Sequence, residues 1–169
     1  FHLVQFRGNA AAWSKELREK KLQEAEDLLG ARDKARALSA FLLAAEMGSA
    51  EAAWQAGILQ AKELGKQVYL MLPHVVREGD LKEYHDTFRC LKEIGLGGFL
   101  IRNLESFSFL KEMGMEKDIR LDYSVYTYNS RAQAFWQEQG VQRDTVPYEL
   151  NEREIGKRDN TNSEMVVYG

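Results

Sequence analysis

The chain has 169 residues, of which 44% are hydrophobic and 29% charged, and its formal net charge is −3. This length and apolar content are enough for a globular domain with a buried core, which excludes a wholly disordered chain. The acidic balance excludes simple electrostatic capture of nucleic acid, because no basic stretch is present to attract phosphates.

Cys90 is the single cysteine of the sequence. It cannot form an internal disulfide or build a cysteine-rich metal site by itself, and it indicates a reducing compartment, so we expect a cytoplasmic protein. No apolar run approaches the roughly 18 to 20 residues that a membrane span needs. Because the chain begins at Phe1 and not at Met, we expect it to be a piece of a longer protein.

Residues 1–64 predict a short strand followed by helices. The run FHLVQF at residues 1–6 is typical of a short strand. From Ala11 to Leu64 apolar residues recur at helical spacing, and Gly30 and Gly48 divide the pattern into about three helices. We therefore expect an N-terminal helical segment.

After residue 65 the pattern changes to repeated strand and helix. The run VYLMLPHVV at residues 68–76 is typical of a strand buried on both faces of a parallel sheet. Further strands are predicted to begin at Gly98, Ile119, Val141 and Glu164, a spacing of about 21 to 30 residues, which is the size of a βα unit.

The helix ends of this part also carry sequence signals. Gly65, Gly95, Gly114 and Gly140 each follow a predicted helix, at the position where glycine accepts a left-handed cap. Ser130 with Gln133 fits a capping box at the start of the last long helix. The polar run GKRDNTNS at residues 156–163 predicts a mobile loop or a lid.

Five successive βα units favour a (β/α) barrel or a doubly wound sheet. No glycine-rich phosphate motif stands at any turn to indicate nucleotide binding. We predict an α/β fold in which residues 65–169 form a partial TIM-barrel-like domain of about five or six mostly parallel strands, truncated at its C-terminus. Since a closed barrel has eight strands, the open strand edges also predict a homodimer.

Polar side chains collect at the carboxyl ends of the predicted strands, where the loops of parallel folds converge. His74 can act as a general base or metal ligand, or bind a loop carbonyl. Arg102 can bind a ligand carboxylate or phosphate, or pair internally with Asp122 or Glu149. Those two carboxylates can work together on a substrate, or neutralise Arg102. The predicted substrate-binding residues are His74, Arg102, Asn103, Asp122, Tyr123 and Glu149.

Three segments, in order and spacing, resemble Peptidase family U32, the collagenase-like peptidases. They are KQVYLMLPHVVREGD, LDYSVYTYNSRAQAFW, and YELNEREI leading to SEMVVYG. The family signature opens Glu-x-Phe-x-x-Gly, which Glu164 and Gly169 match, while Val166 stands in place of the phenylalanine. The resemblance implies Glu164 as a catalytic residue.

The resemblance implies a fragment of a bacterial peptidase, a hydrolase that is inactive as this piece alone. In the family the signature continues into cysteines that are associated with an iron-sulfur cluster, and several relatives resemble hydroxylases of RNA or of quinone precursors. The alternatives are therefore a fragment of an iron-sulfur-dependent RNA hydroxylase and, because of Val166, a non-catalytic accessory barrel domain. We expect a peptide or RNA substrate, no membrane partner and no cofactor within this chain.

Overall fold

The computed structural model describes residues 14–75 and 78–167, without the side chains at 78, 80–84 and 86. The strand predicted at residues 1–6 lies outside these ranges. Within them, no helix has both the length and the apolar composition that crossing a bilayer requires.

The chain divides into two compact units, Phe1–Val68 with Asp86–Leu96 and Tyr69–His85 with Gly97–Gly169. The described part of the first unit holds three consecutive helices and the second half of a fourth, which confirms the predicted helical segment. The helices are α1 (Lys15–Gly30), α2 (Lys34–Glu46), α3 (Ala50–Glu63) and α4 (Glu78–Ile94).

Polar residues cap the first three helices. The side chains of Ser14, Asp33 and Ser49 each accept a hydrogen bond from the amide three residues further on. At the end of α4, the Lys62 ammonium donates to two carbonyl groups, including that of Ile94, which a helix end leaves without partners. The core of this unit is apolar, with fully buried side chains that include Phe41, Leu91 and Ile94.

The second unit is built on a five-stranded parallel sheet. Three helices and a 3₁₀ turn connect the strands that follow α4. The strands are β1 (Tyr69–Met71), β2 (Gly98–Ile101), β3 (Ile119–Leu121), β4 (Arg143–Thr145) and β5 (Ser163–Glu164). The connecting elements are α5 (Leu104–Glu112), the 3₁₀ turn (Tyr123–Val125), α6 (Ser130–Glu138) and α7 (Glu152–Ile155).

The strands lie side by side in chain order, β1-β2-β3-β4-β5. In a doubly wound sheet the order reverses at a switch point, whereas in a (β/α) barrel each strand is added next to the previous one. The observed order is therefore that of a partial barrel, as predicted. β1 and β5 are edge strands of this sheet, and their pairing with a second copy of the chain stays a prediction.

Side chains alternate between the two faces of the sheet. Trp136 of α6 and Leu121 of β3 line the same small cavity, so this face is covered by helices. The buried apolar residues of that face are Phe99, Ile101, Ile119 and Leu121. The residues between them, Leu100 and Arg120, pair with each other in the register of β2 and β3 and are only partly buried. They therefore belong to a second, more open face.

Gly98 allows β1, β2 and β3 to lie close together. It pairs with Tyr69 in the register of β1 and β2. A Cβ at this position would collide with the Asp118 carbonyl oxygen and lie 2.7 Å from a carbon of the Tyr69 ring. A residue with any side chain does not fit here unless backbone atoms move.

Two predicted strands are shorter than expected. The run at residues 68–76 was predicted as a strand buried on both faces, but β1 has three residues and Met71 is 51% exposed. This prediction was wrong because a dense apolar run fits an edge strand as well as a central one. The predicted last strand, from Glu164 onward, is paired only at Ser163–Glu164 in the described residues.

The capping residue of α6 is Asn129, and not Ser130. The Asn129 side chain accepts hydrogen bonds from the amides of Arg131 and Ala132. Gln133, which was predicted to complete the box, donates instead to the carbonyl of Asp159. The helix start was predicted correctly and the capping residue was one position too late, because asparagine and serine are both favourable caps.

The glycines at the helix ends behave as predicted. Gly65, Gly95, Gly114 and Gly140 all have positive φ angles, between 62° and 87°. This left-handed conformation ends each helix and directs the chain into the next strand.

The polar run at residues 156–163 was predicted to be a mobile loop or a lid. In the structure it is held by hydrogen bonds at Arg158, Asp159 and Asn160, which argues against a mobile loop.

Candidate functional site

The carboxyl ends of β2 to β5 place polar residues at one level of the sheet. Ile101 pairs with Leu121, and the amide of Asp122 donates to the carbonyl of Ile101 at 2.9 Å, so Arg102 and Asp122 are neighbours. Glu164 ends β5 at the corresponding level of that edge. This is the edge at which parallel α/β folds bind ligands.

Arg102 and Asp122 form an ion pair at this edge. The Arg102 Nε lies 3.2 Å from Asp122 Oδ2, and the two side chains are 22% and 9% exposed. The Ser124 hydroxyl, on the 3₁₀ turn, lies 3.2 Å from the same carboxylate oxygen. Asp122 is therefore neutralised by an internal partner, which is the second of the two roles that the sequence left open.

Glu164 is also paired. Its Oε1 accepts a hydrogen bond from Arg120 Nη1 at 2.7 Å. The Arg120 guanidinium stacks on the Tyr69 ring at 3.9 Å, and the Tyr69 hydroxyl donates to Asp118. This chain of contacts links β5 to β3 and β1 across the open face, so the observed contacts of Glu164 are with the protein itself.

The side-chain amide of Asn103 contacts the backbone carbonyl of His74. The Asn103 side chain caps α5 by accepting from the amide of Ser106, and it donates to the carbonyls of Pro73 and His74 at 3.1 and 2.8 Å. The amide of Asn103 is thus occupied by the protein itself. Among the described residues, no hydrogen bond or ion pair joins the exposed His74 ring to Arg102 or Asp122.

Tyrosine side chains lie beside this edge. The rings of Tyr123 and Tyr148 have centroids 4.1 Å apart with a 32° angle between their planes. The rings of Tyr126 and Tyr128 stack at 5.4 Å and 18°. Tyr126, Tyr128 and Tyr148 are 52%, 39% and 56% exposed. We refer to these four residues as the tyrosine cluster.

Glu149 follows Tyr148 directly and lies close to Tyr128. Partial desolvation raises the pKa of the Tyr128 phenol, and the neighbouring Glu149 carboxylate raises it further. The structure does not bring Glu149 into an ion pair with Arg102, since the partner of Arg102 is Asp122. The two carboxylates that the sequence singled out, Asp122 and Glu149, therefore have different surroundings.

Sequence reasoning missed a buried polar network centred on Asp144 of β4. Its carboxylate accepts hydrogen bonds from the hydroxyls of Thr127 and Ser163, and it forms an ion pair with Arg158. Asp144 and Arg158 are only 8% and 6% exposed. The available signal was an aspartate inside the strand-like run VQRDTVPYE, because a carboxylate that a strand buries requires a partner.

Cys90 does not fit the iron-sulfur cluster that the family resemblance implies. It lies in the first unit, where its Sγ–H donates to Gln55 Oε1 at 3.2 Å. Burial, with a smaller effect of Glu26 and Glu51, raises the pKa of its thiol to about 12. Cluster ligands are several deprotonated cysteines, and the described residues contain no group of three or more His, Cys, Asp or Glu side chains placed to bind a metal ion.

Comparisons with known proteins identify the family of the chain and nothing more specific. No curated protein and no solved structure matches the chain significantly. The family model of Peptidase family U32 matches residues 38–169, a range that contains all five strands and the whole carboxyl edge. This match covers well over half of the sequence, and the chain belongs to Peptidase family U32.

Proposed function

We propose that this chain is the substrate-binding portion of a U32 peptidase and that it binds a peptide at the carboxyl edge of the sheet. The observation that supports the proposal is a contrast at that edge. The charged groups Arg102, Asp122 and Glu164 are paired within the protein, whereas three rings of the tyrosine cluster are exposed.

The paired charges favour binding over proton transfer. A general base must lie within reach of the proton that it removes. Arg102 and Ser124 already lie against Oδ2 of Asp122, and Arg120 lies against Oε1 of Glu164, so these oxygens are engaged within the protein. In this proposal Glu164 is a positioning residue that holds β5, and the bond-breaking groups of the peptidase come from outside the described residues.

The exposed tyrosines favour a peptide ligand. Tyrosine provides a large contact area with few rotatable bonds, so little conformational entropy is lost on binding, and its hydroxyl can bond to a peptide carbonyl. Two residues of the carboxyl edge fix the backbone near the tyrosines. Asn103 joins β2 to the loop after β1, and Asp122 starts the 3₁₀ turn.

The test is an NMR titration of the ¹⁵N-labelled chain with peptides from heat-denatured collagen. We expect shift changes in residues 122–128 and 148–150 and none in α1 to α3. Tyr148→Ala is expected to weaken binding about three- to tenfold through loss of an exposed aromatic contact. Phe135→Ala is the matched control, because Phe135 is a 50% exposed ring that contacts Trp136 instead of the tyrosine cluster.

The other functions predict different outcomes of the same titration. Binding of a single-stranded RNA, with no binding of the peptides, would support the RNA hydroxylase. Absence of binding by both ligands would support an accessory domain. Cleavage of the peptides by this chain alone would contradict the proposed division between binding and chemistry.

A further inference from the structure

The groove beside the tyrosine cluster is large enough to hold a side chain of a peptide. It is an open depression of about 580 Å³, lined by Tyr128 of the tyrosine cluster, by the start of α6, and by residues from Glu149 to Lys157, which include α7. Ligand sites are commonly about 300 to 1,000 Å³ in volume. Its lining residues include Tyr128, Arg131, Glu149, Leu150, Glu154 and Lys157.

We propose that Glu149 and the stacked rings of Tyr126 and Tyr128 together bind a positively charged side chain, lysine or arginine, of the peptide. This inference rests on the proposed function and names the class of substrate residue that the site takes. The electron-rich faces of tyrosine rings attract cations, and a carboxylate beside them adds a direct opposite charge.

The backbone at Tyr126 supports a binding role for the rings. Tyr126 has φ 59° and ψ 52°, a left-handed conformation that is uncommon for any residue with a side chain. The amide of Tyr128 then donates to the carbonyl of Tyr126 at 2.8 Å, which closes a tight turn. This turn displays two stacked aromatic rings to solvent, an arrangement that burial in the core does not explain. Strained backbone of this kind is concentrated at ligand-binding sites.

Glu149 is the carboxylate of the groove that lies against the rings, where it accepts a hydrogen bond from the Tyr128 hydroxyl. The other carboxylate, Glu154, accepts a hydrogen bond from the amide of Asn151 at 2.9 Å and caps α7. Glu149 is exposed, so a ligand can approach its carboxylate from solvent. A cation that reaches the rings therefore also meets this charge.

Two cations, Arg131 and Lys157, line the same groove, so its charges balance as a whole. A lysine or arginine within a peptide carries its charge at the tip of a long side chain and can place it next to Glu149 and the rings. A nucleic acid carries a phosphate at every residue, and a phosphate placed beside the rings would meet the negative charge of Glu149. The position of Glu149 beside the rings favours the basic peptide.

The test compares two blocked pentapeptides, Gly-Gly-Lys-Gly-Gly and the uncharged Gly-Gly-norleucine-Gly-Gly, by NMR titration of the full chain. We expect the lysine peptide to bind about tenfold more tightly, from the combined cation–π and ion-pair contributions. Glu149→Gln and Tyr126→Leu are each expected to lower that preference about two- to fivefold. Glu152→Gln, which removes an exposed carboxylate of α7 outside the groove lining, is the matched control.

The outcomes distinguish a failure of the cation site from a failure of the proposed peptide binding. Equal binding of the lysine and norleucine peptides would overturn the cation site and leave the proposed peptide binding intact. If neither peptide binds, the cation site and the proposed function both fail. Tighter binding of oligouridine than of the lysine peptide would replace the cation site by a platform for nucleobases. The ¹⁵N spectrum of each variant shows whether the fold is retained.

Discussion

Two arginine–aspartate pairs of the second unit use the same chemistry in different surroundings. In the first pair, the side chains of Arg158 and Asp144 are 1% and 10% exposed, and two hydroxyl groups complete the bonding of the carboxylate. In the second pair, Arg102 and Asp122 are 22% and 9% exposed. The first pair lies on the helix-covered side of β4 and the second at the carboxyl edge.

The difference between the pairs separates a buried structural contact from a partly exposed one. Breaking a buried ion pair leaves a charge without water or a partner, and this is costly, whereas a partly exposed arginine can be rehydrated. Arg158 is fixed inside and holds the run at residues 156–163 against β4. The Arg102 side chain is partly exposed, so water can reach it when its partner is removed.

The largest effect is expected for Asp144→Ala. It leaves the Arg158 guanidinium buried and unpaired, so we expect the free energy of unfolding to fall by about 3–5 kcal/mol. Urea denaturation measures this loss, and hydrogen exchange should show faster opening of residues 156–163. A loss below about 1 kcal/mol would show that water reaches Arg158, and the contrast between the pairs would then be wrong.

A smaller effect is expected for Asp122→Ala, the same change in the other pair. Arg102 is partly exposed and regains water, so we expect a loss of about 1–2 kcal/mol. The two variants should be measured in the same urea series. Equal losses at Asp122 and Asp144 would contradict the assignment of one pair to stability and the other to the binding edge.

The smallest effect is expected for Glu164→Gln. The Glu164 side chain is 55% exposed, so its ion pair with Arg120 should contribute less than about 1 kcal/mol. The difference from the unchanged chain should shrink further in about 1 M salt, because exposed pairs are screened. If Glu164 were catalytic, the substitution would abolish peptide cleavage in a U32 protein that carries this segment, and a positioning role predicts that kcat is retained.

Much of the fold could be predicted from the sequence because local signals repeat in every βα unit. A glycine with positive φ follows α3, α4, α5 and α6, and only glycine adopts this conformation at little cost. The strand lengths could not be predicted in the same way. Apolar runs show that a segment is hydrophobic, but the pairing partner on each side decides how many residues join the sheet, as β1 shows.

The candidate site was predicted less completely, for a physical reason. The alternation of strands and helices places Arg102 and Asp122 at one edge, and their pairing followed from that placement. The Asp144 network depends on Thr127, which precedes α6, and on Arg158 and Ser163 of the run at residues 156–163. No periodic pattern relates these positions, so only the tertiary structure reveals them.

Gly98 lets the first three strands lie close together because it has no Cβ atom. Its Cα lies so close to the Asp118 carbonyl that the smallest side chain, a methyl group, has no space. An alanine here would push apart the strands that carry Tyr69 and Arg120, which are in stacking contact. The alignment of the carboxyl edge therefore depends on a residue at the opposite, amino end of β2, so a substitution there would disturb the positions of Arg102 and Asp122 without contacting either residue.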